Sequence, residues 1–231
     1  MILSPMKYKL LRILTYIFPQ KCKICGAYAD QICIRCSKTL KIHKETLLLE
    51  FVDKVFVLYM YDEAMKEIIH KAKYESEFYV IFRLLKLRVK LIKEIKKELG
   101  RHFYMVPIPY HPFRWLSREY NLSEKITDYL KYFHMNELKI LRKIRNDKEQ
   151  KDLSRSERLI NLKESFILNT KKLKNIKSNN FLLVDDVLTT GSTLNECAKT
   201  IKEGIPNSKV YAFVIASNME KIFNFLMKDL V

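Results

Sequence analysis

Apolar residues along this chain fall into two kinds of pattern, short continuous runs and runs spaced three and four apart, and the two kinds alternate. Leu10 to Phe18, interrupted by Arg12, reads as an amphipathic helix. Phe51 to Tyr61 is rich in Val, Phe and Tyr and reads as extended. Asp62 then opens a helical spacing through Met65, Ile68, Ile69 and Ala72, and a second helix is predicted from Phe78 to Leu99 with Gly100 as its stop. Phe103 to Ile108 is a strand leading into Pro107-Ile108-Pro109, Arg118 to Tyr132 a helix, and Leu138 to Leu141 a short strand. Phe181 to Val184 is continuously apolar, as in a strand buried on both faces of a parallel sheet. A helix from Thr190 to about Gly204, a strand from Val210 to Ala216 and a closing helix from Ile222 to Leu230 complete the pattern. Alternation of this kind predicts an α/β parallel sheet flanked by helices.

Composition narrows the class. At 231 residues, 48% hydrophobic and 30% charged, the chain has material for one packed domain with a small appendage and lacks the signature of disorder. No apolar run approaches the ~18 residues of a membrane span, and the small-residue cleavage pattern of a signal peptide is absent. A cytoplasmic protein without an integral membrane segment is expected. Lys and Arg number 43 against 26 Asp and Glu, a net charge of +17 that attracts polyanions and makes nucleic acid a candidate partner. A proteome rich in Lys would give the same excess without any such binding. The basic segment from Lys139 to Arg158 reads as a solvated face, or as a cover that contacts phosphates.

Four of the five cysteines, Cys22, Cys25, Cys33 and Cys36, form two CxxC pairs in a short stretch. Four thiolates close a tetrahedral zinc shell and leave no open position, so the expected metal is structural. A disulfide or redox pair is the alternative, disfavoured in a reducing compartment. Residues 1–45 are accordingly read as an N-terminal helix and zinc module, and residues 46–231 as the α/β domain. Losing one cysteine is expected to unfold the module and leave the larger domain largely intact. Cys197, on a helical spacing, is read as a small buried hydrophobe.

The run Leu183-Val184-Asp185-Asp186-Val187-Leu188-Thr189-Thr190-Gly191-Ser192-Thr193 puts two carboxylates at the C-terminal end of a buried strand, the edge at which open α/β sheets bind ligands. The hydroxyls and amides that follow, around one of only four glycines, lead into a helix N-terminus and form a candidate phosphate cradle. Lysine does not follow Gly-Ser-Thr, so this is not a Walker A loop, and it is not GxGxxG. The plainer alternative makes Thr190 or Ser192 an ordinary N-cap and the aspartates solvated.

The eleven residues Leu183 to Thr193 resemble the 5-phosphoribosyl 1-diphosphate (PRPP) motif of type I phosphoribosyltransferases. Together with the cysteine module, Pro107-Ile108-Pro109-Tyr110-His111-Pro112, Arg118-Glu119-Tyr120-Asn121, and Arg145, Gln150, Leu153, Arg158, Asn161 and Phe166, they resemble the ComF family of competence-associated proteins. Departures are Glu119 where the family has Gly, Leu122 where it has Gln, and Asp147 where it has Thr; a glycine after Ala72-Lys73-Tyr74 is also missing. The resemblance implies a type I phosphoribosyltransferase-like fold and Mg2+-dependent PRPP binding. Asp185 and Asp186 would be the catalytic carboxylates and Val187, Leu188, Thr189, Thr190, Gly191, Ser192 and Thr193 the PRPP loop. Lys73 would meet the pyrophosphate. Two readings of function follow. One is an enzyme that transfers phosphoribose to an unidentified nitrogen acceptor. The other is a non-catalytic adaptor of natural transformation, which binds single-stranded DNA or competence and recombination proteins and holds PRPP or a nucleotide only as a ligand.

Overall fold

The computed structural model describes residues 21–44, 47–110, 120–144, 165–174 and 176–218. In chain order its elements are helix α1 (Ile34–Thr39), strand β1 (Lys54–Met60), helices α2 (Glu63–Tyr74), α3 (Tyr79–Leu87) and α4 (Val89–Leu99), strand β2 (Tyr104–Pro107), helix α5 (Leu122–Leu130), strands β3 (Asn136–Glu137), β4 (Leu141–Lys143), β5 (Phe166–Leu168) and β6 (Asn180–Leu188), helix α6 (Ser192–Gly204) and strand β7 (Lys209–Ser217). Strands β1, β7, β6, β2 and β3 lie side by side in that order, every neighbouring pair parallel. This is the α/β parallel sheet that the apolar runs predict. The helices predicted over residues 10–18 and 222–230 lie outside the described residues. No helix among the described residues is long and apolar enough to cross a membrane.

Strand β6 is the axis of the sheet. Its register runs from Asn180 opposite Lys209 to Leu188 opposite Ser217 on one edge, and from Phe181 opposite Tyr104 to Val184 opposite Pro107 on the other. Alternate side chains serve two cores. Leu182 and Val184 join Met105, Phe213 and the residues of α2 to α5, while Phe181 and Leu183 join Val106, Val214 and Leu194, Cys197, Ala198 and Ile201 of α6. Cys197 is fully buried there, as a small hydrophobe should be. From β2 the chain continues through α5 to β3, and from β6 through α6 to β7. The two crossovers leave in opposite directions, so β2 and β6 flank the switch point of the sheet, where a crevice opens at the C-terminal strand ends.

Three predicted elements differ in detail. The helix expected over Phe78 to Leu99 is two, broken at Arg88 (φ −113°, ψ 19°). The apolar stripe of Ile81, Leu84 and Leu85 resumes in phase at Ile92, Ile95 and Leu99, but Arg88 holds the joining position, and a guanidinium is costly to bury there. The strand expected over Leu138 to Leu141 divides: Asn136–Glu137 pairs with β2, and Leu141–Lys143 turns away to pair antiparallel with β5. Ile140, fully buried between them, goes to the core instead of a ladder. Strand β6 itself continues past Val184 to Leu188. Helix α2 begins as predicted, with the Asp62 carboxylate accepting from the Met65 amide at 3.0 Å.

The cysteine segment has no core of its own among the described residues. Cys22, Ile32, Cys36 and Leu40 belong to the cluster that contains Leu58, Met65, Ile68, Ile81 and Phe213. Lys23 pairs with Glu77, and Arg83 approaches Asp30 to 3.9 Å. This shared burial predicts that the segment and the sheet lose structure together. Ile32, fully buried, is the diagnostic residue: Ile32→Ala should lower the stability of the whole described fold by about 2–5 kcal/mol. Denaturant unfolding followed by far-UV circular dichroism should show one transition shifted to lower denaturant, not an early loss of a small fraction of the signal.

Candidate active site

At the C-terminal end of β6 the two predicted carboxylates carry different partners. Asp185 Oδ1 accepts from the Ser123 hydroxyl at 2.9 Å and from the Asp186 amide at 2.9 Å. Asp186 Oδ1 lies 2.6 Å from Lys73 Nζ, in an ion pair whose side chains are 13% and 19% exposed. The structure thus brings together Lys73, from the last turn of α2, Ser123, from the first turn of α5, and both aspartates. Loss of water around its carboxylate, and then the negative neighbour Asp186, push Asp185 up to about 7 against the pull of Lys73 and the two donated hydrogen bonds.

The candidate phosphate loop is shorter than the motif. Val187 and Leu188 finish the strand, and the Leu188 side chain is buried in the α6-side core. Thr189, Thr190 and Gly191 make the turn, with the Thr190 and Ser192 hydroxyls 2.8 Å apart. Neither hydroxyl residue is the N-cap of α6. That position is Gly191, in the left-handed region (φ 79°, ψ −8°), which has no side chain to offer the first amides of the helix. A Cβ on Gly191 would collide with Leu49 Cδ2. The segment carrying Leu49 is held against α6 by the Phe51 amide, which donates to Asn195 Oδ1 at 2.8 Å. Asn195 returns its own amide to the Gly191 carbonyl at 2.8 Å.

Beside this edge, Asn121 caps α5 and ties it to β2, its Oδ1 accepting from the Ser123 amide at 3.0 Å and its Nδ2 donating to the Ile108 carbonyl at 2.9 Å. The Tyr120 hydroxyl donates to the Ala72 carbonyl. Leu122, where the family pattern has Gln, is buried. A cavity of about 300 Å³ lies between Pro109, Tyr110, Tyr120 and the Glu124, Lys125 and Asp128 side of α5. His111, Pro112, Arg118, Glu119, Arg145, Asp147, Gln150, Leu153, Arg158 and Asn161 lie outside the described residues. Ser123, Leu49 and Asn195 carry no motif signal.

The sulfurs of Cys22, Cys25, Cys33 and Cys36 all lie within 4.8 Å of one another, and those of Cys25 and Cys33 are 3.8 Å apart. A tetrahedral zinc with sulfur ligands at about 2.3 Å separates its ligands by roughly 3.8 Å, so the cluster fits such an ion. Burial alone would push the Cys22 thiol up, but the amides of Cys33, Cys25 and Ile24 bring it down to about 6. Hydrogen bonds with Cys25 and Cys33, with burial, push Cys36 up to about 12. Four thiols this close cannot all ionise without a cation among them. All five cysteines are free of disulfides.

The sheet thus carries an acidic strand end, a turn into a helix N-terminus and a lysine paired with Asp186. Residues 124–229 match the phosphoribosyl transferase domain family. Across most of its length the chain is similar to Competence protein F of Haemophilus influenzae, 28% identical over 202 residues that make up 84% of each protein. It is also similar to Competence protein ComFC of Streptococcus pneumoniae, 27% identical over 68% of this chain and 66% of that protein, and to ComFC of Bacillus subtilis, 25% identical over 84% and 76%. Over most of its length the chain is therefore similar to competence proteins of the ComF family, and its C-terminal half carries the phosphoribosyl transferase domain match.

Two tests follow from the geometry. Asp185 keeps its proton in the folded state up to about pH 7, whereas an unfolded aspartate releases it near 4. Its contribution to stability is therefore fully present below pH 4 and is lost as pH rises from 4 through 7. In Asp185→Asn that part of the pH dependence should vanish, so denaturant unfolding at pH 4 to 8 should show the stability of wild type relative to the variant falling with pH. Gly191→Val should cost about 1–3 kcal/mol without any ligand, from a left-handed backbone forced on a branched residue. Because its added carbons meet Leu49, that penalty should be smaller in a Leu49→Ala background, which a double-mutant cycle of thermal melts would measure.

Proposed function

We propose that this chain binds PRPP with Mg2+ at the C-terminal edge of β6 and transfers its phosphoribosyl group to a nitrogen acceptor. The observation that carries the reading is the adjacent pair Asp185 and Asp186 beside an uncapped, glycine-initiated helix at the switch point of the sheet. The 5′-phosphate suits the turn Thr189 to Thr193, where the main-chain amides of the first turn of α6 gather, the Ser192 amide on the Thr190 hydroxyl at 3.4 Å, and the helix dipole favours an anion. The ribose 2′- and 3′-hydroxyls would donate to Asp185 and Asp186. Asp185, hard to ionise in the protein alone, would give up its proton when Mg2+ and PRPP bind, and the two ionised carboxylates would then accept more strongly than neutral groups and favour the positive charge that grows on the anomeric carbon.

In the reaction the bond from the anomeric carbon to the pyrophosphate oxygen breaks and a bond to the acceptor nitrogen forms. Pyrophosphate leaves with the electron pair, and the nitrogen releases one proton. Lys73, held against Asp186, offers its ammonium to the departing pyrophosphate. The carboxylates of Asp185 and Asp186 are the hard oxygen ligands that Mg2+ prefers, and when bound with PRPP the ion supplies charge neutralisation of the diphosphate. The four cysteines would hold a structural zinc, which contributes folding energy and no chemistry. In this reading residues 1–45 form the zinc module and residues 46–231 the phosphoribosyltransferase-like domain.

A second reading is favoured by the net charge of +17. In it the site holds PRPP or a nucleotide as a ligand, while the basic surface engages single-stranded DNA during transformation. Pyrophosphate release with a panel of bases and amines separates the two, since a ligand-only site gives no turnover with any acceptor.

Replacing Asp185 and Asp186 together by Asn keeps the shape of the strand end and removes its charge. The double variant should fold and lose PRPP affinity at least tenfold, about 1.4 kcal/mol. Calorimetry with PRPP and Mg2+ measures it, and unchanged affinity would mean that PRPP binds elsewhere.

A further inference from the structure

Three consecutive residues at the end of α2 attach to three different parts of the molecule. Lys71 Nζ donates to the main-chain carbonyl of Lys23, 3.1 Å away, inside the first cysteine knuckle. The Ala72 carbonyl accepts from the Tyr120 hydroxyl at the approach to α5. Lys73 Nζ reaches Asp186 at 2.6 Å. The knuckle holds the same region a second time, because the Lys23 ammonium pairs with Glu77 just beyond the helix.

These are not contacts of freely waving surface chains. Lys23, Lys71 and Lys73 are 18%, 24% and 19% exposed. Successive helical residues are turned by about 100°, so Lys71 and Lys73 leave α2 on nearly opposite sides. The last turn is thereby clamped between the cysteine knuckle and the end of β6. A displacement of the knuckle across the helix axis passes to the Lys73 ammonium, because the turn is rigid at the scale of one hydrogen bond.

We propose that the cysteine knuckle is a positioning element for the acidic pair, with Lys71 as the positioning residue. Occupancy of Cys22, Cys25, Cys33 and Cys36 by metal and occupancy of the β6 edge by PRPP are then coupled. The inference rests on the PRPP reading above and adds its regulation. A metal that closes the turn from Cys22 to Cys25 fixes the Lys23 carbonyl between them. Lys71 is anchored on that carbonyl, the last turn of α2 is seated, and Lys73 stands where it can serve both Asp186 and a pyrophosphate. Such coupling is reciprocal: the factor by which zinc raises PRPP affinity is the factor by which PRPP raises zinc affinity.

The test uses the full chain, loaded with one zinc as checked by elemental analysis, and PRPP with Mg2+ titrated by calorimetry. Lys71→Met should weaken PRPP about five- to tenfold, at the lower end of typical coupling. Glu67→Gln removes the carboxylate that pairs with Lys71 at 2.7 Å and spares the knuckle contact, so it should leave PRPP affinity unchanged. In a Lys73→Met background, Lys71→Met should have no further effect. Zinc affinity, measured by competition with a chromogenic chelator, should rise with saturating PRPP and Mg2+ in wild type and not in Lys71→Met. Wild-type PRPP affinity in zinc-loaded Lys71→Met, additive effects of the two lysine variants, or zinc affinity indifferent to PRPP would each overturn the coupling alone. Failure of zinc-loaded wild type to bind PRPP at all would overturn the PRPP reading and this inference with it.

Discussion

A strand that is paired on both edges and covered on both faces has to end in two carboxylates, and much of the molecule is arranged around that requirement. Leu182, Leu183 and Val184 leave no water beside β6. Directly after them, Asp185 and Asp186 would lose hydration without recompense were it not for donors delivered from elsewhere. The first turn of α5 brings the Ser123 hydroxyl, the last turn of α2 brings the Lys73 ammonium, and the strand lends the Asp186 amide. Even so Asp185 stays hard to ionise. In the proposed function, a ligand rich in hydroxyls and accompanied by cations would complete what the protein leaves incomplete.

What was legible in the sequence was local. Runs such as Phe181 to Val184 and Val210 to Ala216 are strands because both faces are buried, and continuous apolarity is the mark of that. Asp62 announced α2 because a cap is read within four residues. The cysteine pairs and the acidic strand end concentrate their chemistry in short spans. The partners of the acids do not. Ser123 lies 62 residues from Asp185, and Lys73 lies 113 from Asp186, so no spacing rule joins them. Leu49 was invisible for the same reason, although its methyl group is what excludes a side chain from Gly191. Leu188 sits inside the ligand motif while its side chain belongs to the core, so any part it takes in the loop falls to its main chain.

The relation between the cysteine segment and the sheet also depends on sharing. Small metal modules usually need their ion because they cannot bury enough surface alone. Here Ile32 and Leu40 borrow the large core, and α2 and α3 supply the counter-surface. The knuckle is thus held by apolar burial, and its Lys23 carbonyl serves as a hydrogen-bond anchor for α2.

The order of the sheet has a consequence for how the chain is made. Strand β1 is an edge strand whose neighbour in the sheet is β7, and Asp53 beside it accepts from the Val210 amide across a separation of 157 residues. At synthesis rates of about 5–20 residues per second, Val55 to Tyr59 wait roughly 8–30 s for their partner. During that interval the β7 edge of an apolar strand is unfilled in the nascent chain, its other edge being met by Lys41 to His43. Helices α2 to α4, made directly after it, cover one of its faces and shield it until the last strand arrives.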